Sequence, residues 1–325
     1  MSDNKAGDQA FLRKDTTLGR WHEMTYGGAL SFLRRNYARD LNGVDVAVTG
    51  VPYDNAVTFR PGCRLGPQAI RAASVQLAEL DAFPYGFDPF EVLSVVDYGD
   101  VHLNPHVPDT VQPAIQQHAA AILEAGVKTL TLGGDHSIAY PLLKAHAEKH
   151  GPIALIQFDA HCDTWPDVEN SFDHGTMFLR AANEGIIDVS RSTQVGLRTY
   201  NDDDHGFEIL TSPWIHRNGI DAAIEIVRER AGDGPVYMSF DVDGMDPAFA
   251  PGTGTPVPGG LASWQALEFV RGLEGLNFTG MDVVEVSPPY DHSEITAIAA
   301  ATVAHDWLAI LAKAKGAVPA PVGRV

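Results

Sequence analysis

The sequence predicts one α/β domain built in three αβα layers, with a mostly parallel sheet between two layers of helices. Three observations predict it. Short apolar runs recur along the chain, each bounded by turn or polar residues. Stretches with helical spacing separate several of these runs. Acidic and histidine residues then cluster just past the ends of four of them. Strands alternating with helices imply right-handed crossovers and a parallel sheet covered on both faces.

The elements follow in chain order. The opening MSDNKAGDQAFLRKD is polar and lacks the apolar core of a signal peptide. Residues 1–43 read as an extension, with WHEMTYGGALSFLRR (21–35) a candidate interface segment. Seven runs read as buried strands: VDVAVTGV (44–51), EVLSVVDYG (91–99), VKTLTLGG (127–134), PIALIQFDA (152–160), STQVGLR (192–198), PVYMSFDVD (235–243) and TGMDVVEVS (279–287). Strands buried on both faces are near-continuous apolar runs rather than alternating ones. TVQPAIQQHAAAILEAG (110–126) reads as a helix ending on Gly126, a residue favoured just past a helix. SIAYPLLKAHAEKHG starts at Ser137 and stops at Gly151. SWQALEFVRGLEG has Ser263 as its expected N-cap, and HSEITAIAAATVAHDWLAILAKAKG closes the fold. No repeat, low-complexity tract or linker divides the chain, so the expected domain is 1–325 with a core of about 44–312.

Composition bounds the function. The 325 residues are 45% hydrophobic, sufficient for a large core. A net charge of −19 argues against nucleic acid and attracts cations, whether metal ions or polyamines. Two cysteines, Cys63 and Cys162, make no disulfide framework and match no zinc spacing. The longest apolar stretch, EITAIAAATVAHDWLAILA, contains Glu294, His305 and Asp306 and reads as too polar for a membrane span. The expectation is a soluble cytoplasmic protein without membrane or nucleic-acid partners.

The charged strand ends carry the chemistry. QFDAHCDTW places Asp159, His161 and Asp163 at alternate positions, and residues two apart share one face of an extended chain. LTLGGDHS adds Asp135 and His136, VYMSFDVDGMD adds Asp241, Asp243 and Asp246, and MDVVEVSPP adds Glu285. Open α/β sheets bind ligands beyond the carboxyl ends of their strands. Helix capping would explain an acid at one strand end, but not acids or histidines at four with the same alternation repeated. The best ligand set is His136, Asp159, His161, Asp163, Asp241 and Asp243. Its carboxylates match the charge of two divalent ions better than one. Carboxylate with some imidazole suits Mn²⁺ or another divalent first-row metal rather than a thiolate-rich structural zinc site. Two ions about 3.5–4 Å apart share a water and ionise it near neutral pH. Alternation turns Cys162 away from the ions. Asp135 reads as a supporting or capping residue, and Asp246 as structural.

Together GGDHS, DAHCD and SFDVDGMDPAFAPGTGTPVPGG resemble the ureohydrolase family of arginases and agmatinases, most closely the agmatinase form. The resemblance runs from about 44 to 312 and includes GVPYDNAVTFRPGCRLGPQAIR and GMDVVEVSPPYDHSEITAIAAAT. It implies a binuclear manganese centre on an α/β sheet, and hydrolysis of a guanidinium compound to urea and an amine by metal-bound hydroxide. It also implies bridging roles for Asp159 and Asp241, a proton-carrying His174 in FDHGT, and Glu285 as the carboxylate that grips the guanidinium. Trimers or hexamers follow from the same resemblance. By residue type alone His174 would be a surface histidine; the other ten histidines have no comparable context.

The substrate tail is read from TWPDVENSFD (164–173), which holds Asp167 and Glu169 but no Lys or Arg. An acidic rim favours the ammonium of agmatine over the carboxylate of 4-guanidinobutyrate, with Trp165 lining the pocket. Arg198, near a strand end, is a base that could reach an anionic tail. The alternatives are a guanidino-acid hydrolase, a single-ion deacylase and a non-catalytic polyamine-binding homologue.

Overall fold

The computed structural model describes residues 17–19, 24–167, 171–320 and 323. Its strands are β1 (Asn36–Tyr37), β2 (Val46–Gly50), β3 (Val95–Asp100), β4 (Lys128–Leu132), β5 (Ala154–Phe158), β6 (Thr193–Leu197), β7 (Glu208–Thr211), β8 (Val236–Asp241) and β9 (Phe278–Val284). They form one sheet in the order β1-β3-β2-β4-β9-β8-β5-β6-β7, and every pairing is parallel. All seven apolar runs became strands, and β2, β5, β6, β8 and β9 are buried along their whole length.

The helices are α1 (Gly66–Ser74), α2 (Val111–Glu124), α3 (Ala139–His150), α4 (Met177–Asn183), α5 (Ser212–Asn218), α6 (Ile220–Ala231), α7 (Ser263–Gly272) and α8 (Ile295–Ala314). One core holds Ile70 of α1, Val227 of α6, Phe269 of α7 and Trp307 of α8. A second holds Ile115 of α2, Leu142 of α3 and Phe178 of α4. The two cores account for the helical layers on either face of the sheet.

Four expectations change. Phe32 and Leu33 are fully buried and β1 pairs with β3, so residues 32–37 of the expected extension belong to the packed fold. Ser263 is the first residue of α7 rather than its cap; Gln265 accepts the Ala262 N–H at 2.9 Å instead. Ser137 lies in a 3₁₀ turn ahead of α3, and the capping carboxylate is Asp135, which accepts the Ser137 N–H at 3.1 Å. The α8 stretch is long and apolar enough to cross a membrane, but most of it is buried inside the protein. Glu294 stands ahead of the helix, and Asp306 is buried in an ion pair with Arg271 at 2.8 Å. The polar residues thus do not exclude a long apolar helix; packing makes it a core element.

The strand order positions the site. In chain order β4 precedes β5, but β9 and β8 lie between them in the sheet. The four strands whose ends carry the ligand-type residues are therefore adjacent in the middle of the sheet.

Candidate active site

His136 follows β4, Asp159, His161 and Asp163 follow β5, Asp241 ends β8 with Asp243 two residues on, and Glu285 follows β9. All seven converge beyond the carboxyl ends of adjacent strands. Two groups of donor atoms form there: His136, Asp159 and Asp241, and Asp159, His161 and Asp243, each within 4.8 Å. Asp163 joins the first, its Oδ2 lying 2.9 Å from His136 Nδ1.

Asp159 belongs to both groups. Its Oδ2 lies 3.1 Å from His136 Nδ1 and its Oδ1 lies 3.3 Å from His161 Nδ1. Gln157 fixes the carboxylate by donating to Oδ2 at 2.8 Å, and the His161 N–H donates to Oδ1 at 2.7 Å. Asp241 turns Oδ2 to His136 at 3.3 Å and accepts the Asp243 N–H on Oδ1 at 2.7 Å.

His136 tests whether these donors fit a cation. Its Nε2 is engaged by Ser239 Oγ at 2.7 Å, and Ser239 donates onward to Asp282 at 2.7 Å. That leaves Nδ1 buried, facing three carboxylates without an aligned hydrogen bond to any of them. A histidine oriented through its outer nitrogen is the usual arrangement behind a metal ligand. Burial opposes protonation of His136, yet Asp159, Asp163 and Asp241 raise it well above its ordinary value. Burial and Asp159 together push Asp163 up to about 7, while burial and Asp243 raise Asp241 well above the carboxylate range. Crowded buried carboxylates around an aligned imidazole favour positive charge at that point. The donor set therefore fits divalent cations.

Beside these groups, His174 Nδ1 lies 3.0 Å from Glu285 Oε1. A carboxylate only accepts, so Nδ1 carries the proton. Nε2 of His174 lies 3.0 Å from Thr58 Oγ1. Burial alone would lower His174, but the hydrogen bond and charge of Glu285 push it up to about 9. Against the raising effect of burial, His174, Cys63 and the His136 N–H hold Glu285 below its usual value. Glu285 and Asp163 both have left-handed backbones, with φ of 64° and 51°. Such strain in residues other than glycine persists where surrounding structure over-determines it, often at functional sites.

A cavity of about 160 Å³ is lined by Thr58, His161, Asp163, Trp165, His174, Gly175, Asp241 and Thr255. Trp165 lines it as expected. Asp167 does not, and its carboxylate is paired with Arg180 through Nε at 2.7 Å and Nη2. The Asp167 part of the expected acidic rim is thus neutralised by a base from α4 that the loop sequence did not reveal. Glu169 lies outside the described residues. Arg198 is no tail anchor either: it donates to the carbonyls of Asp243 at 2.5 Å and Val257 at 2.6 Å, bracing the loop after β8.

Cys162 is buried and belongs to neither donor group. Asp246 accepts the Ala248 and Gly259 N–H groups at 2.9 and 2.6 Å, a structural role. Thr58, Cys63, Gln157, Ser239 and Thr255 were missed; nothing in their local sequence distinguishes them from ordinary polar residues.

Residues 44–309 match the family model described as the Arginase family. A protein named agmatinase from Chromobacterium violaceum is 58% identical over 317 residues, 97% of this chain and 98% of its own. The crystal structure of a hypothetical agmatinase from Burkholderia thailandensis superposes with a TM-score of 0.93 at 57% identity, covering 96% of this chain and 99% of that one. Proclavaminate amidino hydrolase from Streptomyces clavuligerus gives 0.83 at 37% identity, over 90% of this chain and 100% of its own. Fold and site define a ureohydrolase, an enzyme class suited to the donor set at the centre of the sheet. The chain belongs to the arginase family.

Proposed function

We propose that this protein hydrolyses agmatine to putrescine and urea with two Mn²⁺ ions. The observation that carries the reading is the shared Asp159 between two donor groups, with the His174–Glu285 pair beside them. His136, Asp159, Asp163 and Asp241 would hold one ion. Asp159, His161 and Asp243 would hold the other, with Asp241 as a second shared ligand. Bound there, the ions supply Lewis acidity and an ionisable water near neutral pH.

The chain's own residues supply the rest. Glu285 is buried and held in its charged form, so it pairs with a guanidinium through charge-assisted hydrogen bonds. His174, pushed up to about 9, holds its proton at neutral pH. When the guanidinium takes the Glu285 carboxylate, that proton is available to the departing amine.

Tail recognition rests on what faces the cavity. Among the described lining residues there is no Lys or Arg to receive a carboxylate, and Arg180 is engaged by Asp167. This supports agmatine over a guanidino acid, as does 58% identity to a protein named agmatinase. The Asp167 charge adds nothing to the argument. The single domain, the cytoplasmic location and a trimeric or hexameric assembly accompany this reading as proposals.

The test is urea release by Mn²⁺-loaded protein on agmatine, 4-guanidinobutyrate and arginine side by side. A preference for agmatine of at least about tenfold in kcat/KM is expected. Preference for 4-guanidinobutyrate would overturn the substrate assignment.

A further inference from the structure

Cys63 is a buried nucleophilic side chain at the site that the proposed reaction leaves unused. Cys63 is fully buried, and its Sγ lies 3.0 Å from Glu285 Oε2. The other carboxylate oxygen, Oε1, receives the His136 N–H at 2.8 Å and His174 Nδ1 at 3.0 Å. Both oxygens of the guanidinium-binding carboxylate are therefore held by donors, one of them a thiol. Burial and the Glu285 charge push the Cys63 thiol far above its ordinary value, so the sulfur keeps its proton and donates.

Local geometry holds the loop that carries the thiol against the Glu285 segment. Asp54 closes the loop that carries it, accepting the Gly62 N–H at 2.8 Å and the Arg64 N–H at 3.3 Å and pairing with the Arg64 guanidinium. Gly62 has φ 139°, and a Cβ there would lie 2.7 Å from Ser287 Oγ and 2.8 Å from the Pro289 ring. A Cβ on Gly66 would lie 2.7 Å from the Val286 carbonyl. The loop therefore sits directly on the segment that carries Glu285. Thr58, earlier in the same loop, reaches His174 Nε2. One loop touches both partners of the His174–Glu285 pair.

We infer that Cys63 is a positioning residue whose S–H fixes the plane of the Glu285 carboxylate for a guanidinium substrate. The inference rests on the role proposed above for Glu285. Without the thiol, Oε2 loses the one side-chain donor it has among the described residues, and the plane of the carboxylate is set from Oε1 alone, through the His136 N–H and His174. A hydrogen bond to a charged group contributes enough that its loss weakens substrate pairing about tenfold.

The test compares Mn²⁺-loaded Cys63→Ala and Cys63→Ser with the parent protein in kinetics, metal content and thermal melting. Cys63→Ala is expected to lower kcat/KM about tenfold, chiefly through KM, with two ions retained. Cys63→Ser, which restores a donor, is expected to recover to within about threefold of the parent. A space-filling role alone would lower the melting temperature in both variants and leave KM unchanged, and that pattern would overturn the inference. A readout independent of turnover is the infrared S–H stretch of Cys63, assigned by its disappearance in Cys63→Ala. The band is expected at higher frequency in Glu285→Gln, where the charged acceptor is gone. An unshifted band would sink the role of Cys63 whatever the substrate. Absence of urea from the parent protein, with the band shifted, would instead count against the substrate reading alone.

Discussion

Nδ1 of His174 lies 3.0 Å from Oε1 of Glu285, although 111 positions of chain separate the two residues. The contact joins the proposed proton carrier to the carboxylate proposed to receive the guanidinium. His174→Ala is expected to lower kcat by about 10²–10⁴, the usual contribution of a positioned proton donor, while leaving metal content unchanged. Steady-state kinetics and metal analysis check this, and an unchanged kcat would remove His174 from the reaction.

Asp159 faces both donor groups, one oxygen to each histidine. Loss of an outer partner of a metal ligand costs about 10–100-fold in affinity, and loss of a shared ligand costs more. Asp159→Asn is therefore expected to abolish urea release and lower bound Mn²⁺ from two ions per chain. Gln157→Ala, which removes the donor to Asp159 Oδ2, should weaken binding within the 10–100-fold range. Mass-spectrometric metal analysis after dialysis reads both; two ions retained in Asp159→Asn would refute the shared-ligand assignment.

Asp167 is paired with Arg180, both about one-fifth exposed. Partly exposed ion pairs contribute about 0–1 kcal/mol. Asp167→Asn is expected to change the preference between agmatine and 4-guanidinobutyrate by less than about threefold. A larger loss of agmatine preference would restore Asp167 as a contact for the cationic tail.

His146, which belongs to neither donor group, provides a pH test. It is buried between Thr129 at 2.9 Å and Thr279 at 3.1 Å, and burial, followed by the charges of His150 and Lys128, depresses it to about 3. Folded His146 is thus neutral where an unfolded histidine, with a pKa of about 6.5, takes up a proton. Its contribution is fully present above about 6.5 and is lost as pH falls toward about 3, at up to ~1.4 kcal/mol per pH unit. His146→Gln should flatten the stability profile between pH 6.5 and 4.5 in urea titrations. An identical slope in both proteins would contradict a depressed histidine.

Much of the fold was legible because a strand buried on both faces must be a continuous apolar run, and all seven such runs became strands. Most missed elements were short or weakly patterned, although α1 and α6, at nine and twelve residues, were missed while long enough for helical spacing to register. β1 has two residues, β7 is only half-buried, and α4 and α5 span seven residues each. Too few positions were available there for periodicity to register. The candidate ligand residues were legible because alternation marks most of them locally, as in DAHCD. Cys63 and Arg180 were not, since each acts on a residue distant in the sequence, Glu285 and Asp167 respectively.

By itself, then, the sequence determined the parallel α/β architecture, the six candidate ligands and the chemistry those residue types suit. Tertiary structure decided which strand ends meet. Insertion of β9 and β8 between β4 and β5 brings His136, Asp159, Asp241 and Glu285 to one place. It also decided that Asp167 is neutralised and that a thiol holds Glu285. The physical reason is that alternation and apolar runs are properties of neighbouring residues. Charge neutralisation and side-chain orientation depend on whatever distant group the packed core carries to within 3 Å.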